Sequence, residues 1–271
     1  MIGCDGIKSS IRKWLVGSES PQARPSYTHK YAYRGLIQIE KAIEAIGEDM
    51  ARSRIMYSGE GGHMLTFPVA HGKTMNVVAF HHDPQEWEGE QLVVPTTHAE
   101  ARQDFVNWGH NVRAIIDLLQ DDIDKWGIFD LGDNPLSNFS KGRVCVAGDA
   151  AHATGPHHGA GAGFCIEDSA VLAELLQVAW VNLQSGKARK SKAEVLESVL
   201  KVFDSSRRER TQWLVSSSRA SADLYEWMDE ACGKDPRKIK EELLWRNHKI
   251  WNVDIEDMTA ASNRELEGII A

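Results

Sequence analysis

The clearest periodicity in the chain is helical. Over residues 164–184, Ile166, Ala170, Leu172, Ala173, Leu176 and Ala179 recur on one side, and Ser185-Gly186 closes the segment, which predicts one packed helix. A longer pattern over 194–227 sets Val195, Val199, Val202, Phe203, Trp213, Leu214 and Leu224 at helical spacings, and the tail from Lys234, with Trp245 and Trp251, also reads as helix. Shorter amphipathic helices are expected at 100–108 and 112–120. Strand character marks 31–39, 54–58, 63–68, 74–80 and 125–131, and Gly59-Glu60-Gly61-Gly62 between the second and third is a hairpin signal. Residues 42–51 read as a short helix or a loop insertion. RVCVAG, at 143–148, is a short buried strand ending on a glycine. The first twelve residues, MIGCDGIKSSIR, read as the end of a strand, a turn at Asp5-Gly6 and a helix opened by Ser9 or Ser10.

Composition narrows the classes. With 271 residues the chain is long enough for one large domain or two smaller ones, and 42% hydrophobic with 26% charged residues is ordinary for a globular protein. A net charge of −8 argues against a general nucleic-acid binder. The basic cluster Arg207, Arg208 and Arg210 does not change this, because acidic residues flank it. Cys4, Cys145, Cys165 and Cys232 are scattered without CxxC pairing, which suits reduced thiols. No apolar run approaches the roughly 20 residues that span a bilayer. Asp5, Lys8, Arg12 and Lys13 interrupt any signal-peptide pattern. The expectation is a soluble intracellular (cytoplasmic) protein.

The candidate chemistry lies in 143–169. A buried strand ends on Gly148, Asp149 follows where cofactors meet open α/β sheets, and a loop carries His152, Pro156, His157 and His158. Gly159, Gly161 and Gly163 then lead into the apolar helix. A carboxylate there accepts hydrogen bonds from a ribose hydroxyl, and free N–H groups at a helix start favour negative charge. Two other readings of the segment stand beside this one. His152, His157 and His158 with Asp149 suit zinc or iron by ligand type, although their spacing matches neither H-E-x-x-H nor a finger and leaves the glycines without purpose. A Ser-His-Asp hydrolase lacks its G-x-S-x-G elbow.

The segment resembles the second flavin motif of the FAD-dependent aromatic monooxygenases, the group that includes salicylate hydroxylase. Gly148-Asp149-Ala150-Ala151-His152 matches G-D-A-A-H, Pro156 with Gly159-Ala160-Gly161-Ala162 matches P-x-x-G-x-G-A, and Glu167-Asp168-Ser169-Ala170 matches the start of the next helix. Ala160 stands where the family usually has Gln. Gly3, Asp5, Gly6, Ser9 and Arg12 match its G-x-D-G-x-x-S-x-x-R, and Phe203, Arg207 and Arg210 a later F/Y-x-x-x-R-x-x-R.

The resemblance implies an α/β (α+β) fold. It would be an incomplete FAD/NAD(P)-binding Rossmann-like domain with an inserted, mainly antiparallel substrate-binding sheet and C-terminal helices, divided at 1–25, 26–137, 138–186 and 187–271. FAD is the implied cofactor, NAD(P)H the co-substrate, and a small phenolic or carboxylated aromatic ring with O2 the substrates. The DG motif of Asp5, Gly6 and Arg12 is implied to lie near the FAD pyrophosphate and to serve NAD(P)H. Asp149 is implied to take the ribityl or ribose hydroxyl (a helix cap is its other role), and Gly161 and Ala162 to offer N–H groups to the flavin N1–O2 edge. Gly148, Pro156 and Gly159 would shape the turn beside the ring. Arg34, in Tyr33-Arg34-Gly35, and Tyr57 on the next strand are the implied catalytic pair, an arginine for a substrate anion and a tyrosine to orient or deprotonate. The family opens on a βαβ unit with G-x-G-x-x-G, a pattern not found in these residues. The expectation is therefore half a cofactor site, the half that meets the isoalloxazine, and an inactive remnant acting through protein contacts is its alternative.

Overall fold

In the computed structural model, which describes residues 1–271, the chain opens on a strand end as expected, β1 (Ile2–Gly3), and α1 (Ser10–Val16) follows it. Ser9 caps α1, its Oγ accepting the Arg12 N–H at 2.8 Å. The middle of the chain forms β2 (Ser26–Gln38), α2 (Ile39–Ile46), α3 (Glu48–Arg52), β3 (Ile55–Gly59), β4 (Gly62–Val69) and β5 (Thr74–His82). Next come β6 (Val93–Thr97), α4 (His98–Asp104), α5 (His110–Asp117) and β7 (Asp122–Asp130). The remainder holds β8 (Ser140–Lys141), β9 (Val144–Val146), α6 (Asp149–His152), α7 (Gly161–Gln184), α8 (Lys192–Tyr225), α9 (Pro236–Trp251) and α10 (Ile255–Ile270). This mixed α/β architecture, with its mainly antiparallel middle, agrees with the expected class.

Two units divide the chain. The first comprises Met1–Ser26, Phe129–Arg219 and Glu242–Ala271. Its sheet runs β1-β9-β8, with β1 parallel to β9 and β8 antiparallel to it. Cys145 and Val146 of β9 sit in a core with Val171 and Leu175 of α7, Val199 and Phe203 of α8, and Leu266 and Ile270 of α10. The buried face of α7 is Phe164, Val171, Leu172, Leu175 and Ala179, which corrects the expected packed side: Ile166, Ala173 and Leu176 are exposed on the other faces of the helix.

The second unit comprises Tyr27–Ile128 and Ala220–Glu241. Its six strands lie in the order β3-β4-β5-β2-β7-β6. Register fixes what each face carries. Tyr33 pairs with Ala79, Ala79 with Met64 and Met64 with Tyr57, so these four side chains share one face. That face packs on Ile39 and Ala42 of α2, Ala101 of α4 and Ile115 of α5. Arg34, Val78, Leu65 and Met56 line up one residue over, on the opposite face.

The differences from the sequence pattern have local causes. Residues 42–51 form two helices because Gly47, at φ +84°, breaks the run between them. Strand β6 went unpredicted because Pro95 interrupts it, and β6 lies at the sheet edge, where a missing N–H is tolerated. Helix α4 begins two residues early because Thr97 caps it, Oγ accepting the Glu100 N–H at 3.2 Å.

Candidate functional site

The glycine turn of the first unit carries the most constrained backbone. Gly148 lies at φ 61° and ψ −146°, a region closed to side chains, and a Cβ there would stand 3.2 Å from Cys165 Sγ. Asp149 follows as the first residue of α6. Its carboxylate is exposed and receives no hydrogen bond from the chain, so it is not a cap. Pro156–His158 make a single 3-10 turn, ended by Gly159 in the left-handed region at φ 65°. Helix α7 then starts with no side-chain cap and no acidic residue in its first turn. Its first N–H groups, on Gly161, Ala162 and Gly163, are left for a ligand or solvent, and a Cβ added at Gly163 would meet nothing within 4 Å. A free carboxylate, an uncapped 24-residue helix and side-chain-free glycines make a cradle that fits the polar parts of a flavin nucleotide.

Beneath the turn lies a buried brace. Asp168 Oδ2 accepts the Gly148 N–H at 2.9 Å and the His152 Nε2–H at 2.7 Å, while Oδ1 accepts Arg207 Nε at 2.8 Å. Burial alone would raise the Asp168 carboxyl, but the bonds from His152, Arg207 and Gly148 outweigh it and hold it below its ordinary value. Arg207 reaches Glu167 Oε2 at 2.7 Å as well, and Arg210 forks onto Glu167 at 2.9 and 2.8 Å. Arg207 and Arg210 of the basic cluster on α8 are thus spent holding the first turns of α7, while Arg208 pairs with Asp204 of its own helix at 2.8 Å. Sequence reading matched these residues to a motif without giving Asp168 a role. The signal was there in an adjacent Glu-Asp pair and two arginines three residues apart on separate helices.

Within the DG segment, the side chains of Asp5 and Arg12 serve the scaffold. Asp5 accepts Ser9 Oγ at 2.5 Å and the N–H groups of Ser10 and Ile11 at 2.7 and 3.2 Å, all within α1 and its cap. Burial opposes ionisation, but these bonds win and lower its pKa. Arg12 is fully buried and donates to the carbonyls of Ala150 at 3.0 Å, Ala23 at 3.4 Å and Ile7. It ties α1 to α6, so it positions Asp149 one residue away. Gly6, at φ +77° with open space around it, is the member of the motif left accessible to a ligand.

In the second unit, Arg34 and Tyr57 do not come together. Arg34 is exposed, its guanidinium 4.8 Å from the Trp126 ring centroid, beside a cavity of about 440 Å³ that Asn76 and Gln120 also line. Tyr57 points to the other face and packs against the core. Its hydroxyl is buried without a well-aligned hydrogen bond, and burial pushes the phenol up. The two residues expected as a catalytic pair therefore lie on opposite faces, because a one-residue offset along paired strands reverses the face.

The histidines of the loop diverge. His152 is held by Asp168, and His158 Nε2 lies 2.9 Å from Ser217 Oγ, which accepts Arg246 Nη1 at 3.1 Å. Burial lowers the His158 imidazole to about 4, so the ring is neutral at ordinary pH. No three metal-ligating side chains converge anywhere in the structure, so the metalloenzyme alternative has no ligand set.

Residues 1–192 match the protein family described as the FAD binding domain. The chain belongs to that family. It is 49% identical over 259 residues to the FAD-dependent monooxygenase pigN of Monascus ruber, an overlap of 95% of this chain and 59% of that protein. Against the salicylate hydroxylase asL1 of Sarocladium schorii it is 38% identical over 275 residues, 98% of this chain and 57% of the other. A solved salicylate hydroxylase substrate complex superposes with a TM-score of 0.85 at 34% identity, covering 98% of this chain and 63% of that one. The chain spans about three fifths of the length of these curated relatives. No helix is long and apolar enough to cross a membrane.

Proposed function

We propose that this chain carries the flavin-facing part of an FAD-dependent monooxygenase that hydroxylates a small phenolic or carboxylated aromatic with NAD(P)H and O2. The observation that carries the reading is the exposed, unpartnered Asp149 beside the uncapped start of α7. FAD, when bound, supplies the redox and oxygen chemistry. Asp149 is the acceptor for a ribityl or ribose hydroxyl. The N–H groups of Gly161 and Ala162 face the edge where negative charge develops, and the helix dipole adds to them. Gly148, Pro156 and Gly159 set the backbone path of the turn. Arg34 offers a guanidinium to a carboxylate or phenolate of the substrate, with Trp126 holding its plane. Similarity to salicylate hydroxylases supports the substrate class.

Titrating the purified chain with FAD and following the quenching of flavin fluorescence tests the reading. Saturable binding is expected. Asp149→Ala should weaken it by about tenfold or more, the loss of one hydrogen bond to a charged acceptor, with no change in melting temperature. A chain that never quenches FAD, or an Asp149→Ala variant that binds as tightly as the parent, overturns it.

A further inference from the structure

A second concave site lies between α4 and α5, in the helical layer of the second unit. Val106 and Ala114 supply the accessible apolar surface, over the buried Phe105 and Ile116, and Arg102, His110, Arg113 and Asp117 stand around it, lining an open cavity of about 280 Å³. That is close to the lower end of the volumes at which small-molecule pockets begin. The charges are not symmetrical. Arg102 gives its Nε to Asp117 at 2.7 Å, so that pair is locally neutral. Arg113 is exposed and makes no ion pair or hydrogen bond through its guanidinium, in a chain whose 39 acidic residues outnumber its 31 basic ones. One unpaired arginine over an apolar floor selects a single negative charge attached to an apolar body. A dianion would be opposed by Asp117, and a neutral body would leave Arg113 unused.

We propose that the α4–α5 cleft binds a small organic monocarboxylate, its apolar portion on Val106 and Ala114 above the buried Phe105, and its carboxylate on Arg113. The site has a route to β2. Phe105 stands edge-on to Tyr33 with ring centroids 6.5 Å apart, and the Tyr33 and Tyr31 hydroxyls both donate to Asp104 of α4, at 2.6 and 2.7 Å. An occupant therefore rests one ring away from the strand that carries Arg34.

Titrating the isotope-labelled 271-residue chain with sodium octanoate and recording ¹H–¹⁵N spectra tests this. Saturable shifts at His110 and Arg113 are expected. They should weaken at least tenfold in Arg113→Ala, which removes an exposed side chain and leaves the fold intact, and stay unchanged in Arg34→Ala. The proposal fails if octanoate moves neither residue, or if Arg113→Ala binds as well as the parent. It also fails if 1-octanol matches octanoate, since the charge would then be idle, or if inorganic phosphate matches it, since the apolar floor would be.

Discussion

The two units hold nearly the same buried assembly for different ends. In the first, Asp168 is shared by His152 at 2.7 Å and Arg207 at 2.8 Å. In the second, Glu226 is shared by His63 at 3.0 Å and Lys30 at 2.6 Å. All six residues are almost fully removed from solvent. The difference lies in what else the carboxylate holds. Asp168 also takes the N–H of Gly148, so its charge fixes the backbone of the cofactor turn. Glu226 takes no backbone donor. Its own carbonyl accepts the Gly61 N–H at 3.1 Å, and Lys30 gains a second carboxylate in Asp223, so the assembly fastens the end of α8 to β2 and to the β3–β4 turn. The cations differ to match. The Arg207 fork reaches Asp168, Glu167 and the Phe164 carbonyl together, whereas Lys30 acts as one point charge. A buried triad becomes part of a site when it grips the backbone of that site.

The largest effects come from breaking the carboxylates. Asp168→Ala and Glu226→Ala each leave a buried imidazole without its carboxylate and its cation with only one carboxylate partner, Glu167 or Asp223, and each should cost about 3 kcal/mol in urea unfolding. The milder Asp168→Asn and Glu226→Gln separate the roles. Asp168→Asn should abolish FAD quenching under conditions where the chain remains folded, and Glu226→Gln should leave it within about twofold. Equal loss of FAD binding in both would erase the distinction drawn between the triads.

Next in size is the turn itself. Gly148→Ala forces a side chain into φ 61°, ψ −146° against Cys165, at a cost of about 1–3 kcal/mol. Gly163→Ala, in open space on a helix, should instead gain about 0.5–1 kcal/mol. Thermal melts of the two variants should move in opposite directions. A shared sign would mean that the turn is not strained as its dihedral angles imply.

The comparison also marks where sequence stops informing. The glycine turn was legible because its chemistry is local: strand end, Asp149, glycines and helix start lie within one stretch, and backbone geometry demands those residue types in that order. The β3–β4 hairpin was legible from Gly59 to Gly62 for the same reason. The second triad was not, because Lys30 and Glu226 are 196 residues apart and nothing in either neighbourhood marks them as partners. Tyr57 was placed on the correct strand, but its face could not be read. Strand composition is insensitive to register, whereas the Tyr57–Met64–Ala79–Tyr33 row decides the matter. Arg12 was recognised through its motif, but the motif match does not reveal that its donors end on carbonyls.

Acid should expose the imidazoles before the carboxylates. His158 has a folded pKa of about 4, lowered by burial, against 6.5 when exposed, and burial lowers His63 too, although Glu226 partly restores it. Each therefore binds fewer protons folded than unfolded below pH 6.5, and stability falls as pH drops from about 6.5 towards 4. Asp168 and Glu226 are held below their ordinary values, so their contribution persists through that window and is lost only in stronger acid. Urea midpoints at pH 7.5, 6 and 5 should decline for the parent chain and decline less for His158→Gln, which keeps a polar partner for Ser217 without titrating. Identical slopes would remove His158 from the account.

The smallest expected effect belongs to Tyr57→Phe. The Tyr57 hydroxyl is buried with no aligned partner, and Thr66 Oγ1 across the hairpin is equally unsatisfied. Thr66 is close enough to lower the phenol pKa slightly but not aligned for a full hydrogen bond, so losing the hydroxyl forfeits a weak contact and relieves part of its desolvation cost, and stability should change by less than about 1 kcal/mol. This contrasts with the triads, where each polar atom is matched and each deletion is costly. The same variant tests the face assignment, because a phenol pointing into the core cannot meet a substrate on the Arg34 side. In holoenzyme able to turn over, Tyr57→Phe should retain hydroxylation, while Arg34→Ala should lose it with NADH oxidation partly preserved. If Tyr57→Phe instead stops hydroxylation at unchanged stability, the side chain reaches the substrate and the face derived from its strand register is wrong.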